Sequence, residues 1–161
     1  MKKEELHFKY DVYESGSDLP PAYASLLEAA RQVSSIAYAP YSNFLVGAVA
    51  KLNNGKLISG TNQENASYPV GICAERTLLS IASMEQMNEP IDTIAISYNN
   101  KNGESNTPIS PCGMCRQSLS EYEFRTKQPI RLILSGLSGK VYVIEKAGQL
   151  LPLSFGKEDL K

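Results

Sequence analysis

The chain has no apolar run approaching the roughly 18 residues that a membrane-spanning helix needs. Its polar start, Met1 to Lys9, lacks the hydrophobic segment of a secretory signal. A cytoplasmic protein is expected. An excess of charge of either sign is also lacking: 16 Lys and Arg against 17 Asp and Glu leave a formal net charge of -1. Nothing in that balance calls for a nucleic-acid polyanion or an anionic membrane as partner, and a small, nearly neutral ligand fits better. Repeats and low-complexity segments are absent. Histidine occurs once and cysteine three times. Three thiols make a poor disulfide framework, and a reducing cytosol keeps them as thiols, so their spacing needs another explanation.

What is present is an ordinary globular composition, 42% hydrophobic and 20% charged over 161 residues, enough for one domain with a real core. Leu6, Phe8, Tyr10 and Val12 alternate with polar neighbours and predict an N-terminal strand with one buried face. Asp18 is placed to cap a helix whose first turn tolerates Pro20 and Pro21. Tyr23, Leu26, Leu27, Ala30, Val33 and Ile36 line its inner face, and Pro40 is expected to stop it. Strands over Phe44 to Leu52 and Lys56 to Asn62 are joined by Asn53-Asn54-Gly55, a tight hairpin turn. A helix from about Cys73 to Met87 and a buried strand from Ile91 to Tyr98 follow. Ser110-Pro111 reads as the cap and first position of a third helix ending near Phe124. Ile130 to Ser135 and Lys140 to Glu145 are the last strands. The order predicts an α/β fold of three layers, α-β-α, with a mixed five-stranded sheet and an extra N-terminal strand. Residues 1–17 read as an extension and 18–161 as the domain itself. Helix N-termini then gather at the carboxyl ends of the parallel strands, where ligands bind.

Cys73 and Cys112 both fall at such helix starts, and Cys115 stands three residues on. Each helix N-terminus carries about half a unit of positive charge, which favours thiolates, and thiolates suit zinc. A structural zinc closes its tetrahedron with four protein ligands, whereas a catalytic one takes three and keeps a place for water. Only three converge here, because His7 lies far away in the N-terminal strand. A thiol oxidoreductase reading of Cys112-Gly113-Met114-Cys115 leaves Cys73 and Glu75 without a role, and three buried structural cysteines at two helix starts would be coincidence. Cys73-Ala74-Glu75 followed by Pro111 to Cys115 has instead the ligand-x-Glu and Pro-Cys-x-x-Cys form of the zinc deaminases, in which the Glu moves protons and does not bind metal.

Beyond that motif, Pro40 to Phe44, Asn62 to Ala66, Gly71 to Arg76 and Ser154-Phe155-Gly156 resemble the cytidine deaminases that act on free nucleosides. The likeness runs from about Leu19 to Leu160. It implies that Cys73, Cys112 and Cys115 hold one zinc per subunit and that Glu75 is the catalytic acid and base. It further implies that Asn62 and Glu64 hydrogen-bond the ribose hydroxyls, that Phe44 and Phe155 pack around the nucleoside, and that the Ala74 backbone reads the base. By the same likeness Ala66 and Tyr68 reach a neighbouring subunit's site. Three thiolates leave zinc with excess negative charge, and Arg76 is expected to hydrogen-bond the sulfurs and offset it. The three-cysteine set with this arginine resembles the small homotetrameric branch. Two features depart from the pattern: a longer link, Asn99 to Thr107, and the N-terminal extension. The implied activity is hydrolytic conversion of cytidine and deoxycytidine to uridine and deoxyuridine with release of ammonia, in pyrimidine salvage. Deamination of blasticidin S is the nearest rival, and the Asn62, Glu64 and Phe155 signature argues for cytidine.

Overall fold

The computed structural model describes residues 1–160. Its elements in chain order are β1 (Asp11–Tyr13), α1 (Pro21–Ser34), β2 (Phe44–Leu52), β3 (Leu57–Thr61), α2 (Ala74–Glu85), β4 (Ile91–Asn100), α3 (Gly113–Thr126), β5 (Arg131–Ser135) and β6 (Val141–Ile144). Single 3₁₀ turns lie at Gly16–Asp18, Tyr68–Val70, Ala147–Leu150 and Lys157–Leu160. The six strands form one sheet in the order β1-β6-β5-β4-β2-β3. Only β4 and β5 run parallel; the other neighbours are antiparallel. This is the mixed sheet expected from the sequence, with the N-terminal strand as its sixth member.

Alternation along the strands divides the core into two faces, because successive side chains of a strand point opposite ways. Val49, Ala95, Ile133 and Val143 meet Leu26, Leu27 and Ala30 of α1. Their sequence neighbours Ala48, Ala50, Ile94, Ile96, Leu132 and Leu134 point the other way and meet Leu78 and Ala82 of α2 and Leu119 and Tyr122 of α3. The result is three layers, with α1 alone on one side. Both α2 and α3 share the other side, so their starts can approach each other. No helix among the described residues is long and apolar enough to cross a membrane.

Four boundaries differ from the sequence reading, each for a local reason. The N-terminal strand is only three residues long, and its apolar residues are not buried: Val12 is 49% exposed and Leu6 70%. It lies at the sheet edge beside β6, where Tyr10 packs on Tyr142 with ring centroids 5.1 Å apart. Asp18 does not cap α1. It closes a capping box with Ser15 around the 3₁₀ turn, and Pro20 itself stands at the N-cap of α1. α1 ends at Ser34, well before Pro40, because the hydroxyls of Ser34 and Ser35 turn back onto the carbonyls of Arg31 and Gln32. Ile36 is consequently exposed. α3 begins two residues later than Ser110-Pro111 suggested: Cys112 is its N-cap, accepting the amide of Arg116 on its carbonyl at 2.9 Å. The hairpin turn holds as read, with Gly55 at φ 86°.

Candidate active site

Cys73 and Cys112 occupy equivalent places, the N-caps of α2 and α3, and both have extended backbones (φ -76°, ψ 154° and φ -67°, ψ 169°). An extended N-cap turns its side chain across the helix mouth, and neither sulfur is spent on capping its own helix. The two sulfurs therefore meet at 3.7 Å. Cys115, on the first turn of α3 and buried, places its sulfur 3.5 Å from that of Cys112, and all three lie within 4.8 Å of one another. Tetrahedral zinc with Zn–S bonds of about 2.3 Å sets its sulfurs about 3.8 Å apart. The three thiols thus form one triangular face of such a tetrahedron, and Cys112 is exposed on the solvent side. The trio can hold a metal ion with a fourth position left open. His7 is far off, paired with Glu5 at the surface.

Glu75 lies one residue into α2 and is only 5% exposed. Burial raises its carboxyl pKa above the ordinary value, against hydrogen bonds from its own amide and from the Cys115 thiol. In the sulfur trio, hydrogen bonding from Cys115 holds Cys73 down to about 6, helped by Cys112 and Arg76, while the Cys115 thiol is pushed up by donating to Cys73 and by burial.

At the start of β2, Phe44 stacks on Tyr98 of β4, centroids 4.8 Å apart and planes 14° from parallel. Asn62, just past β3, ties this corner together: its Oδ1 accepts the Val46 amide at 2.7 Å and its Nδ2 donates to the Phe44 carbonyl at 2.8 Å. Glu64 accepts the amides of Tyr41 (2.9 Å) and Ser42 (3.3 Å) on one oxygen. The Ser42 hydroxyl also bonds it, and these donors lower its pKa. Between them Gln63 bridges to Tyr38 and to Ile72, so the 62–64 segment is laced to the approach of α2. Phe44, Asn62, Glu64 and the sulfur cluster thus belong to one rim of the sheet.

The remaining residues of interest lie further out. Ala66 and Tyr68 are exposed, Tyr68 at 88%. Phe155 is 59% exposed, and its carbonyl accepts Gln117 of α3. Phe155 and Arg76 line the same groove of about 650 Å³, which runs along α2, α3 and the C-terminal segment. Arg76 points toward Met114, with its Nη1 4.0 Å from the sulfur, instead of toward a cysteine sulfur. A cavity of about 750 Å³ between the N-terminal segment and α3 contains none of these residues. Sequence reasoning missed Tyr98, the floor under Phe44, and Ser42, the partner of Glu64. Tyr98 looked like a plain core residue, and no spacing signal marks a serine that meets Glu64 through its hydroxyl and its amide.

Comparison with known proteins agrees with this arrangement. Residues 22–128 match the family described as the cytidine and deoxycytidylate deaminase zinc-binding region. The chain is 37% identical over 135 residues to a cytidine deaminase of Halalkalibacterium halodurans, covering 84% of this chain and 95% of that one. The cytidine deaminase structure from Burkholderia pseudomallei superposes with a TM-score of 0.71 at 41% identity, over 81% of this chain and 97% of the other. That from Mycobacterium leprae gives 0.62 at 33% identity, over 81% and 97%.

Proposed function

The chain belongs to the cytidine and deoxycytidylate deaminases, and from that premise we propose that it deaminates free cytidine to uridine and ammonia, with deoxycytidine as a second substrate. The observation that carries the reading is a carboxyl 5% exposed, Glu75, beside three sulfurs that leave one coordination position open. Cys73, Cys112 and Cys115 would hold a zinc ion, which would supply Lewis acidity able to lower the pKa of a water from about 15.7 toward 7.

Glu75 accepts a proton as the water oxygen attacks C4 and delivers it to the ring N3. The carboxylate then takes the remaining proton from the new C4 hydroxyl and passes it to the departing amine as the C4–N bond breaks and C4=O forms, so that cytidine and water become uridine and ammonia with no other reactant. Phe44, held flat on Tyr98, forms an apolar wall for the nucleoside, and the Ala74 backbone reads the base edge. Asn62 and Glu64 receive the ribose hydroxyls. A site that pairs the ribose hydroxyls disfavours analogues lacking both, whereas deoxycytidine keeps the 3′ hydroxyl.

The exposed Ala66, Tyr68 and Phe155 are surfaces that a homotetramer would cover, with Ala66 and Tyr68 completing a neighbour's site. Arg76 acts near the metal by its charge, which already lowers the Cys73 pKa. The near-neutral chain suits a free nucleoside over a polynucleotide, and three reduced thiols suit a cytoplasmic place in pyrimidine salvage.

An ultraviolet assay with cytidine, deoxycytidine, blasticidin S, adenosine, guanine and single-stranded DNA tests the proposal. Turnover of the two pyrimidine nucleosides and of nothing else is expected. No turnover of either would overturn the substrate assignment.

A further inference from the structure

The link between β4 and α3 is ordered by its own hydrogen bonds and reaches back to the site. Asn100 donates its amide to Ser105 Oγ at 2.8 Å, and the Ser105 carbonyl accepts the Ser138 amide of the β5–β6 connection at 3.2 Å. Asn102 donates its amide to Asn100 Oδ1 at 3.0 Å, which fixes the turn. From that turn the Asn102 side chain spans to the loop before β2: its Nδ2 donates to the Ser42 carbonyl at 3.1 Å, and its Oδ1 accepts Asn43 Nδ2 at 3.4 Å. The Lys101 amide adds a bond to the Asn43 carbonyl at 2.9 Å.

Asn43 has φ 57°, the left-handed region that asparagine tolerates better than most residues, and contacts from outside the loop hold this turn in place. Asn102 and Lys101 supply them. The Ser42 residue is then gripped from two sides, its carbonyl by Asn102 and its amide by Glu64. We propose that Asn102 is a positioning residue for the ribose end of the site: it holds the Ser42-Asn43 turn against which the Glu64 carboxylate is set. The inference rests on the reading of Glu64 as a ribose ligand.

The test measures kcat and KM of the zinc-loaded wild type, Asn102→Ala, Asn102→Asp and Glu64→Gln for cytidine and for 2′,3′-dideoxycytidine. Asn102→Ala removes both side-chain bonds, so KM for cytidine should rise about fivefold with kcat nearly unchanged. Dideoxycytidine, which offers no hydroxyl to Glu64, should show no change. Asn102→Asp keeps the acceptor for Asn43 and loses the donor to Ser42, so an intermediate rise is expected. If Asn102→Ala leaves the preference for cytidine over dideoxycytidine intact while Glu64→Gln abolishes it, the positioning role is overturned and the ribose reading stands. If Glu64→Gln also keeps the preference, the ribose reading of Glu64 fails and takes the inference with it.

Discussion

Gly60 of β3 lies so close beneath Ala74 of α2 that a Cβ on it would sit 2.5 Å from the Ala74 carbonyl oxygen and 2.5 Å from the Leu78 amide nitrogen. Both are backbone atoms, which cannot swing aside. The contact sets how near the first turn of α2 lies to the sheet, and hence where Cys73 and Glu75 stand.

Gly60→Ala should therefore push the start of α2 outward. Overpacking of this kind costs about 1–3 kcal/mol, and a displacement of about 1 Å at a reacting group costs on the order of a hundredfold in rate. Reduced zinc content, a lower thermal midpoint and a loss of activity greater than the loss of folded protein are the expected results. Wild-type activity in this variant would mean that the docking of α2 does not set the site.

Glu75→Gln separates metal binding from proton transfer. The amide has nearly the shape of the carboxyl, and Glu75 is not one of the three sulfur ligands, so zinc should remain bound. Loss of a positioned acid and base typically costs about 10²–10⁴ in rate. Turnover of cytidine should fall by that order, with metal content by elemental analysis unchanged. A variant that deaminated at the wild-type rate would remove Glu75 from the chemistry.

The layers of the fold were legible because they rest on periodicity: Ile94, Ala95 and Ile96 alternate faces, and the α1 stripe Leu26, Leu27 and Ala30 repeats at helical spacing. The metal motif was legible because three thiols and a carboxyl at fixed offsets have few other uses. Boundaries were less so, since they turn on single hydrogen bonds. Ser110-Pro111 has the composition of a helix start, yet Cys112 takes the cap because its extended backbone brings its sulfur to Cys73. Asn62 shows a second limit. Its resemblance-based role is toward a ribose, while the structure also has it pinning Val46 and Phe44, a contact no pattern in the chain announces. Asn102 and Ser42 meet across 60 residues of sequence, and only the fold brings them together.

Removal of metal should act on both activity and stability. At the mouths of α2 and α3 the Cys112 sulfur lies 3.7 Å from that of Cys73 and 3.5 Å from that of Cys115, and an ion held by the three would stabilise the folded state by mass action. A strong chelator should abolish deamination and lower the thermal midpoint, and added zinc should restore both. Cys73→Ala, Cys112→Ala and Cys115→Ala should each fail to retain zinc. Full retention by any one would mean that its sulfur is not a ligand.

Glu123 has no part in the chemistry and offers a separate test of the fold's electrostatics. It is buried at the end of α3, where one oxygen accepts the Ile130 amide at 2.7 Å and the other the Gly148 amide at 3.1 Å. Desolvation raises its pKa above the ordinary 4.5, outweighing the hydrogen bonds and nearby Lys146 that lower it. A carboxyl whose folded pKa is raised holds its proton longer in the native state than in the unfolded one. Its contribution to stability is then fullest below the unfolded pKa and is lost as pH climbs through the folded pKa. Glu123→Gln cannot ionise and can accept only one of the two amides with its single carbonyl oxygen, so it should be less stable by about 1–3 kcal/mol. Urea unfolding of both proteins across pH should show the gap between them narrowing as pH rises from near 4.5 through the raised folded pKa. A gap that widened over that interval would show that hydrogen bonding from Ile130 and Gly148, and not burial, governs this carboxyl.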